Sequence, residues 1–222
     1  MSLSGAITPG TVAPELRAEF PGLRLDWLAL PARPRPSPPE LVARLRALSD
    51  RFRGASAVTM RATPVPRAFR TFFRQIGLDP DVDRPPGERA AVARLLHGGF
   101  RSVDAIGDAC LVALVETGVP VWALDADAVD PLTGLGIRAV TAADGPGAGP
   151  APRPAPAGTL AVADGARVHA VLFGDPLPGS AVRRSTTRVA LFSLAVDGVP
   201  TIHVEEALWI CAEIVGGGAA GW

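Results

Sequence analysis

The chain has 222 residues, 48% of them hydrophobic and 20% charged, with 22 basic and 22 acidic side chains. This is the composition of a globular chain rather than a disordered one, and its zero net charge excludes a general attraction to polyanions, so any nucleic-acid contact needs a local basic face. No apolar run reaches the roughly 20 residues needed to span a bilayer, and the opening "MSLSGAITPG" carries no secretory pattern, so a cytoplasmic protein with no membrane contact is expected.

Val12 to Leu30 reads as two short strand-like pieces, with "GLRLDWLAL" placing apolar residues at alternate positions. "PARPRPSPP" then breaks every ladder and helix pattern, and Pro31 to Pro39 is expected to be a stiff connector. From Glu40 to Phe52, Leu41, Leu45, Leu48 and Phe52 recur at three- and four-residue intervals and predict a helix. A second helix is predicted over Val65 to Ile76, with Phe69, Phe72, Phe73 and Ile76 turned inward and Gly77 as its C-cap. Arg67, Arg70 and Arg74 fall on a related face, either as a solvated outer surface or as a phosphate-binding row.

A third helix follows Pro85 and Pro86 and closes at Gly98 and Gly99, with His97 in its last turn. The fourth runs from Ser102 to Thr117, with Asp104 near its positive end. After Gly118 the pattern changes to strands: "VPVWALDADAV", "LGIRAV", a hairpin in "TLAVADGARVHAVLFG" turning at Asp164-Gly165, and "TTRVALFSLAVDGVP". Between them "ADGPGAGPAPRPAPAG" is a loop, and a last helix is predicted from Ile202 to Val215. Runs of helices before runs of strands predict an α+β fold, a mixed or antiparallel sheet with helices packed on it. Cys110 and Cys211 sit in apolar runs without metal-ligand spacing, so buried thiols are expected, with no metal and no cofactor.

No phosphate-cradling Gly-rich loop, HExxH, nucleophile elbow or paired-cysteine pattern is present. The ordered series "FRTFFRQIGLDP", "RPPGERAAVARLL", "VDAIGDACLVALVETGVPVWALDADAV", "IRAV", "GTLAVADG" and "RRSTTRVALF" resembles the B3/B4 domain of the phenylalanyl-tRNA synthetase beta subunit, and more closely the free-standing proteins built from that domain alone. The elements that match are Asp108, Glu116, Gly118, Pro120, Asp125 and Arg138, within a resemblance covering roughly residues 55 to 215. Residues 1–54 would then be N-terminal strands, the connector and the first helix of the same domain, and residues 216–222 a flexible tail.

The resemblance implies a domain that receives the aminoacylated end of tRNA and, in the synthetase, hydrolyses tyrosine mistakenly attached to the phenylalanine tRNA. A second sieve of this kind answers a physical need, because an apolar pocket discriminates only about a hundredfold against an isostere that adds a hydroxyl. The chain departs from the family pattern at Leu111, where the family has Asn, at Trp122, where it has His, and at Asp144, which stands in place of a Glu. His97, His169 and His203 all lie elsewhere. With no ATP or amino-acid activation motifs, the chain is not expected to act as a synthetase.

Two functions follow as expectations. One is a free-standing RNA-binding protein that takes the aminoacyl end of tRNA, with trans-editing hydrolysis as a further step. In it Asp144 would be the catalytic carboxylate, Arg67, Arg70, Arg74 and Arg138 the RNA contacts, and Asp108, Trp122, Asp125, Thr186 and Thr187 the pocket. The alternative is a non-catalytic pocket protein for an amino-acid-like small molecule or a protein partner.

Overall fold

The computed structural model describes residues 5–52, 59–147 and 155–217, with 145–147 described by their backbone. The fold is α+β. Two short strands, β1 (Thr8–Pro9) and β2 (Thr11–Val12), are followed by helix α1 (Pro14–Glu19) and strand β3 (Arg24–Pro31). Helices α2 (Pro39–Arg51), α3 (Pro64–Gln75), α4 (Pro86–His97) and α5 (Ala105–Thr117) come next. Strands β4 (Val121–Asp125), β5 (Gly136–Ala139), β6 (Leu160–Ala163), β7 (Val168–Val171) and β8 (Arg188–Ala195) precede the last helix, α6 (Thr201–Val215).

The strands form two four-stranded sheets rather than one. The first, in the order β1-β3-β8-β4, is antiparallel throughout; the second, β2-β5-β6-β7, is mixed, because β2 pairs with β5 in parallel. The N-terminal stretch therefore serves both sheets. The region expected to hold two strand-like pieces contains α1 as well: Pro14 is pre-set for a first helical turn, Glu15 favours the helix N-terminus, and Leu16 is buried.

Strand β8 is the centre of the first sheet, and every residue from Val189 to Ala195 is at most 1% exposed. Such a near-continuous apolar run is what a strand covered on both faces requires. Helices α5 and α6 pack on each other and on this sheet, and α2 packs on α5 through Leu41, Leu45, Leu48 and Val112. Helix α5 begins where Asp104 accepts the Ile106 and Gly107 amides, and ends at Gly118 with φ 77°, a left-handed cap that glycine adopts without strain.

The expected loop over 143–158 opens instead with a 3-10 segment, Ala142–Gly147, and residues 148–154 lie outside those described. The expected tail lies outside them from 218 onward. Among the described residues no helix is long and apolar enough to cross a membrane, and no group of His, Cys, Asp and Glu side chains is placed to hold a metal ion.

Candidate functional site

Helix α3 presents Phe69, Phe72 and Phe73 to a single ring, Phe173, at centroid distances of 5.7, 5.9 and 5.0 Å. Trp122 meets the same ring at 6.1 Å. Phe173 is held at φ 62°, a left-handed conformation that bulky side chains rarely adopt. Its carbonyl accepts a hydrogen bond of 3.0 Å from Arg89 Nη2, and the surrounding rings fix its side chain, so the strain is held in place from both ends. Beside it opens a cleft of about 350 Å³ lined by Phe73, Leu78, Asp83, Arg84, Arg89 and Phe173. The floor is aromatic, and the rim carries two exposed arginines and one exposed aspartate.

The polar residues expected to shape a pocket are gathered in two places. Asp125, at the end of β4, is buried and accepts the Thr186 hydroxyl at 2.7 Å, while its backbone amide donates to the Ser180 carbonyl at 2.9 Å. This ties the 177–186 loop to the sheet, and Arg183 lies 3.9 Å from the same carboxylate. Thr187 is exposed and does not join this network through its side chain. Asp108 is 1% exposed and accepts from the hydroxyls of Ser37 and Ser102 and from the Val103 amide at 2.9 Å. It therefore pins the proline-rich connector to α5 rather than facing a cavity. Trp122 stacks on Phe192 with centroids 5.3 Å apart and planes 12° from parallel, and is 8% exposed.

Asp144 and Arg138 form one closed unit. Arg138 donates from both terminal nitrogens, at 2.8 and 2.6 Å, and Asp144 also accepts the Thr141 amide and hydroxyl. The Arg138 guanidinium, aided by Thr141 and opposed by burial, holds the Asp144 carboxyl far below the ordinary carboxylate range. A carboxylate so strongly stabilised as an anion is a poor general base, since efficient proton transfer wants a pKa near the working pH.

The three arginines of α3 separate. Arg67 and Arg74 are exposed, whereas Arg70 is 9% exposed and lies in an ion network with Glu88 at 2.9 Å and Asp81 at 2.8 Å. Glu88, 3% exposed, is also met by Arg61 at 2.9 Å. Arg70 thus joins α3 to α4 and is not on an open row with its neighbours. The helical period placed it among them, but its acidic partner lies 18 residues further along the chain.

Nothing in the residue pattern announces a third polar cluster. His169 is fully buried, with Nε2 2.9 Å from Asp164 Oδ2 and Nδ1 2.8 Å from Ser180 Oγ. Burial alone would raise the Asp164 carboxyl, but the amides of Asp130, Ala166 and Arg167, with His169, outweigh it and bring it down to about 2. Burial pushes the His169 imidazole the other way from a cation, below its ordinary value. The carboxylate can only accept, so Nε2 carries the hydrogen and Nδ1 accepts the Ser180 hydroxyl. Ser180 is 1% exposed and donates its hydrogen bond to the ring. The array has the composition of a nucleophilic triad but not the access; it braces the β6–β7 hairpin against the 177–186 loop.

Other cavities are larger, among them one of about 380 Å³ by Leu48, Arg51, Phe52, Val115 and Glu116. One of about 450 Å³ is predominantly apolar and lies among Phe52, Met60, Val65, Phe100 and Leu114. Another of about 500 Å³ runs beside β2 and β5 past Arg138 and Asp164. None of these combines an aromatic floor with a pair of exposed arginines. Arg84 and Phe173 carry no periodic signal, because one precedes a Pro-Pro helix start and the other owes its role to backbone conformation. No family model matches the chain, and no curated protein matches it.

Proposed function

We propose that this chain is a free-standing B3/B4-like module that binds the aminoacylated end of a tRNA and does not hydrolyse it. The observation that carries the reading is the cleft of Phe73 and Phe173 with Arg84 and Arg89 at its rim. A floor of Phe73, Leu78, Leu172 and Phe173 receives an apolar aminoacyl side chain by contact rather than by base stacking, since Phe73 and Phe173 are 3% and 5% exposed, and guanidinium groups pair with phosphate. The ordered motifs shared with the B3/B4 domain support the same ligand class.

The absence of hydrolysis in this reading rests on two geometries. Trp122, at the position where the resemblance would place a histidine, is spent on a stack with Phe192. Asp144 is spent on Arg138. Neither is free to orient a water on an ester carbonyl.

Filter binding of matched charged and uncharged tRNA tests the reading. Aminoacyl-tRNA should bind at least about tenfold more tightly, a difference of about 1.4 kcal/mol, and Arg84→Ala should reduce that preference. Tyrosyl-tRNA of phenylalanine specificity should deacylate no faster than in buffer. Equal binding of charged and uncharged tRNA would overturn the proposed ligand, and accelerated deacylation would overturn the non-catalytic assignment.

A second reading, a pocket for a free amino-acid-like molecule, is favoured by the cleft's volume of about 350 Å³, near the lower end for small-molecule sites. A thermal shift with free aromatic amino acids, and none with charged tRNA, would select it.

A further inference from the structure

We infer that the end of the first sheet where β3 leaves and β8 enters is a second RNA contact, a phosphate-binding surface made by Arg33, Arg35, Arg183, Arg184 and Arg188. The inference rests on the reading that the protein engages RNA, and it places the backbone contact away from the α3 arginines suggested by the sequence.

The register builds this surface. Pro31 stands opposite Arg188, and the pairing continues one step as the Ala32 amide donates to the Thr187 carbonyl at 3.1 Å. Ala32 and Thr187 therefore leave the sheet side by side, about 4.8 Å apart. Residues 183–186 turn from there toward the end of β4, where Ala181 bridges Leu124 and Arg183 lies by Asp125, so the five arginines gather at one end of the sheet. All five arginines are exposed. Pro34 and Pro36 fix the backbone around Arg33 and Arg35, so an extended chain sets these two side chains roughly 6 Å apart along the connector.

The connector is also anchored from beneath. The Arg35 carbonyl accepts the Ala105 amide at 3.0 Å, and Ser37 donates to the buried Asp108. A phosphate chain meeting Arg33 and Arg35 would thus find their backbone already ordered, which lowers the entropy cost of binding.

Acidic neighbours leave most of this charge uncompensated. Asp125 lies 3.9 Å from Arg183 but already accepts Thr186, and Asp108 is occupied by Ser37, Ser102 and Val103. Among the described residues Arg35 makes only a long hydrogen bond, 3.5 Å, to the Ile214 carbonyl. Among the described residues Arg33, Arg184 and Arg188 form no ion pair. In a chain whose formal charges cancel, such a concentration of unpaired guanidinium groups creates the local basic face that net charge denies. Arginine is also the side chain best suited to phosphate, which it meets through two parallel donors.

The test uses the full chain, deacylated tRNA as probe, and the triple variant Arg33→Ala, Arg184→Ala, Arg188→Ala. Each phosphate on a single strand that is no longer neutralised makes the slope of log affinity against log salt shallower by about 0.7, so the variant's slope should flatten by about 2 and its affinity fall about a hundredfold at 50 mM salt. Its melting temperature should stay at the wild-type value, because all three side chains are exposed. An unchanged slope and affinity would overturn the surface.

The charged-versus-uncharged preference is measured separately and belongs to the cleft. Its disappearance with the slope effect intact would sink the cleft reading alone, whereas a wild type that ignores tRNA would sink both. Vesicles of phosphatidylserine and phosphatidylcholine serve as the competing anion. Binding to them that requires the same arginines, without tRNA binding, would reassign the surface to membrane and overturn the RNA proposal.

Discussion

Trp122 and Phe192 are direct cross-strand partners on β4 and β8, and their rings lie flat against each other, 5.3 Å between centroids. Such a pair fills space and excludes water, and it holds no group that could move a proton. Its indole also reaches Phe173, so the stack is continuous with the aromatic floor of the cleft. In the proposed reading the same side chain closes the position where the resemblance would place a histidine and stiffens the cleft.

Trp122→His tests this directly. The smaller ring leaves a cavity and breaks the stack, at a cost of about 3 kcal/mol, read from urea denaturation. No deacylase activity should appear, because Phe192 offers the new imidazole no polar partner. Rapid hydrolysis of tyrosyl-tRNA by the variant would show that the missing histidine alone separates the site from catalysis.

The buried Asp164–His169–Ser180 array makes stability depend on pH in two steps. The His169 pKa is depressed in the fold, so below about 6.5 the unfolded chain binds a proton that the folded one refuses, and stability falls with decreasing pH. The Asp164 carboxyl titrates near 2 in the fold against about 3.9 unfolded, so its contribution is full above pH 4 and is lost between about 4 and 2. Urea midpoints at pH 7.5, 5.5 and 3.5 should descend in that order. His169→Phe should flatten the first step, at a cost of about 3 kcal/mol for the donor lost to the carboxylate and the Ser180 hydroxyl left without its acceptor.

Glu88 is the hub of the α3–α4 network, since it holds Arg70 and Arg61 while almost wholly buried. Arg70→Ala leaves that carboxylate with Arg61 alone among the described residues and should cost about 3 kcal/mol. Arg67→Ala, on an exposed side chain, should change stability by less than about 0.5 kcal/mol. Equal effects on thermal unfolding would contradict the separation of the two.

Asp108→Ala removes the acceptor shared by Ser37, Ser102 and the Val103 amide. The destabilisation should be about 2–4 kcal/mol, for three part-buried hydrogen bonds to one carboxylate lost at once. Amide exchange at Ala105, whose N–H donates to the Arg35 carbonyl, should accelerate with it, which would locate the damage at the connector.

The helices were legible because burial against one side imposes a period that residues such as Leu41, Leu45 and Leu48 display on their own. Their ends were legible too, where Asp104 and Gly118 carry conformational preferences independent of context. Helix α1 was not, since six residues hold too little periodicity to be heard between two strands. The division into two sheets was hidden because pairing depends on partners far apart in sequence, such as Leu28 with Leu191. Arg70 shows the same limit at the level of a site: its helix predicts a face, but Glu88 decides whether that face is open. The left-handed Phe173 left no trace in composition, and the cleft depends on it.

The central position of β8 bears on how the protein comes into being. Because β3 and β4 both lean on a strand that begins at residue 188, a growing polypeptide carries two unsatisfied edges until that late strand is made. Local helices can form on the ribosome, but the first sheet cannot close behind them. A product released before that strand emerges would offer those edges to other chains, so premature termination should yield aggregates or chaperone clients rather than a smaller working protein.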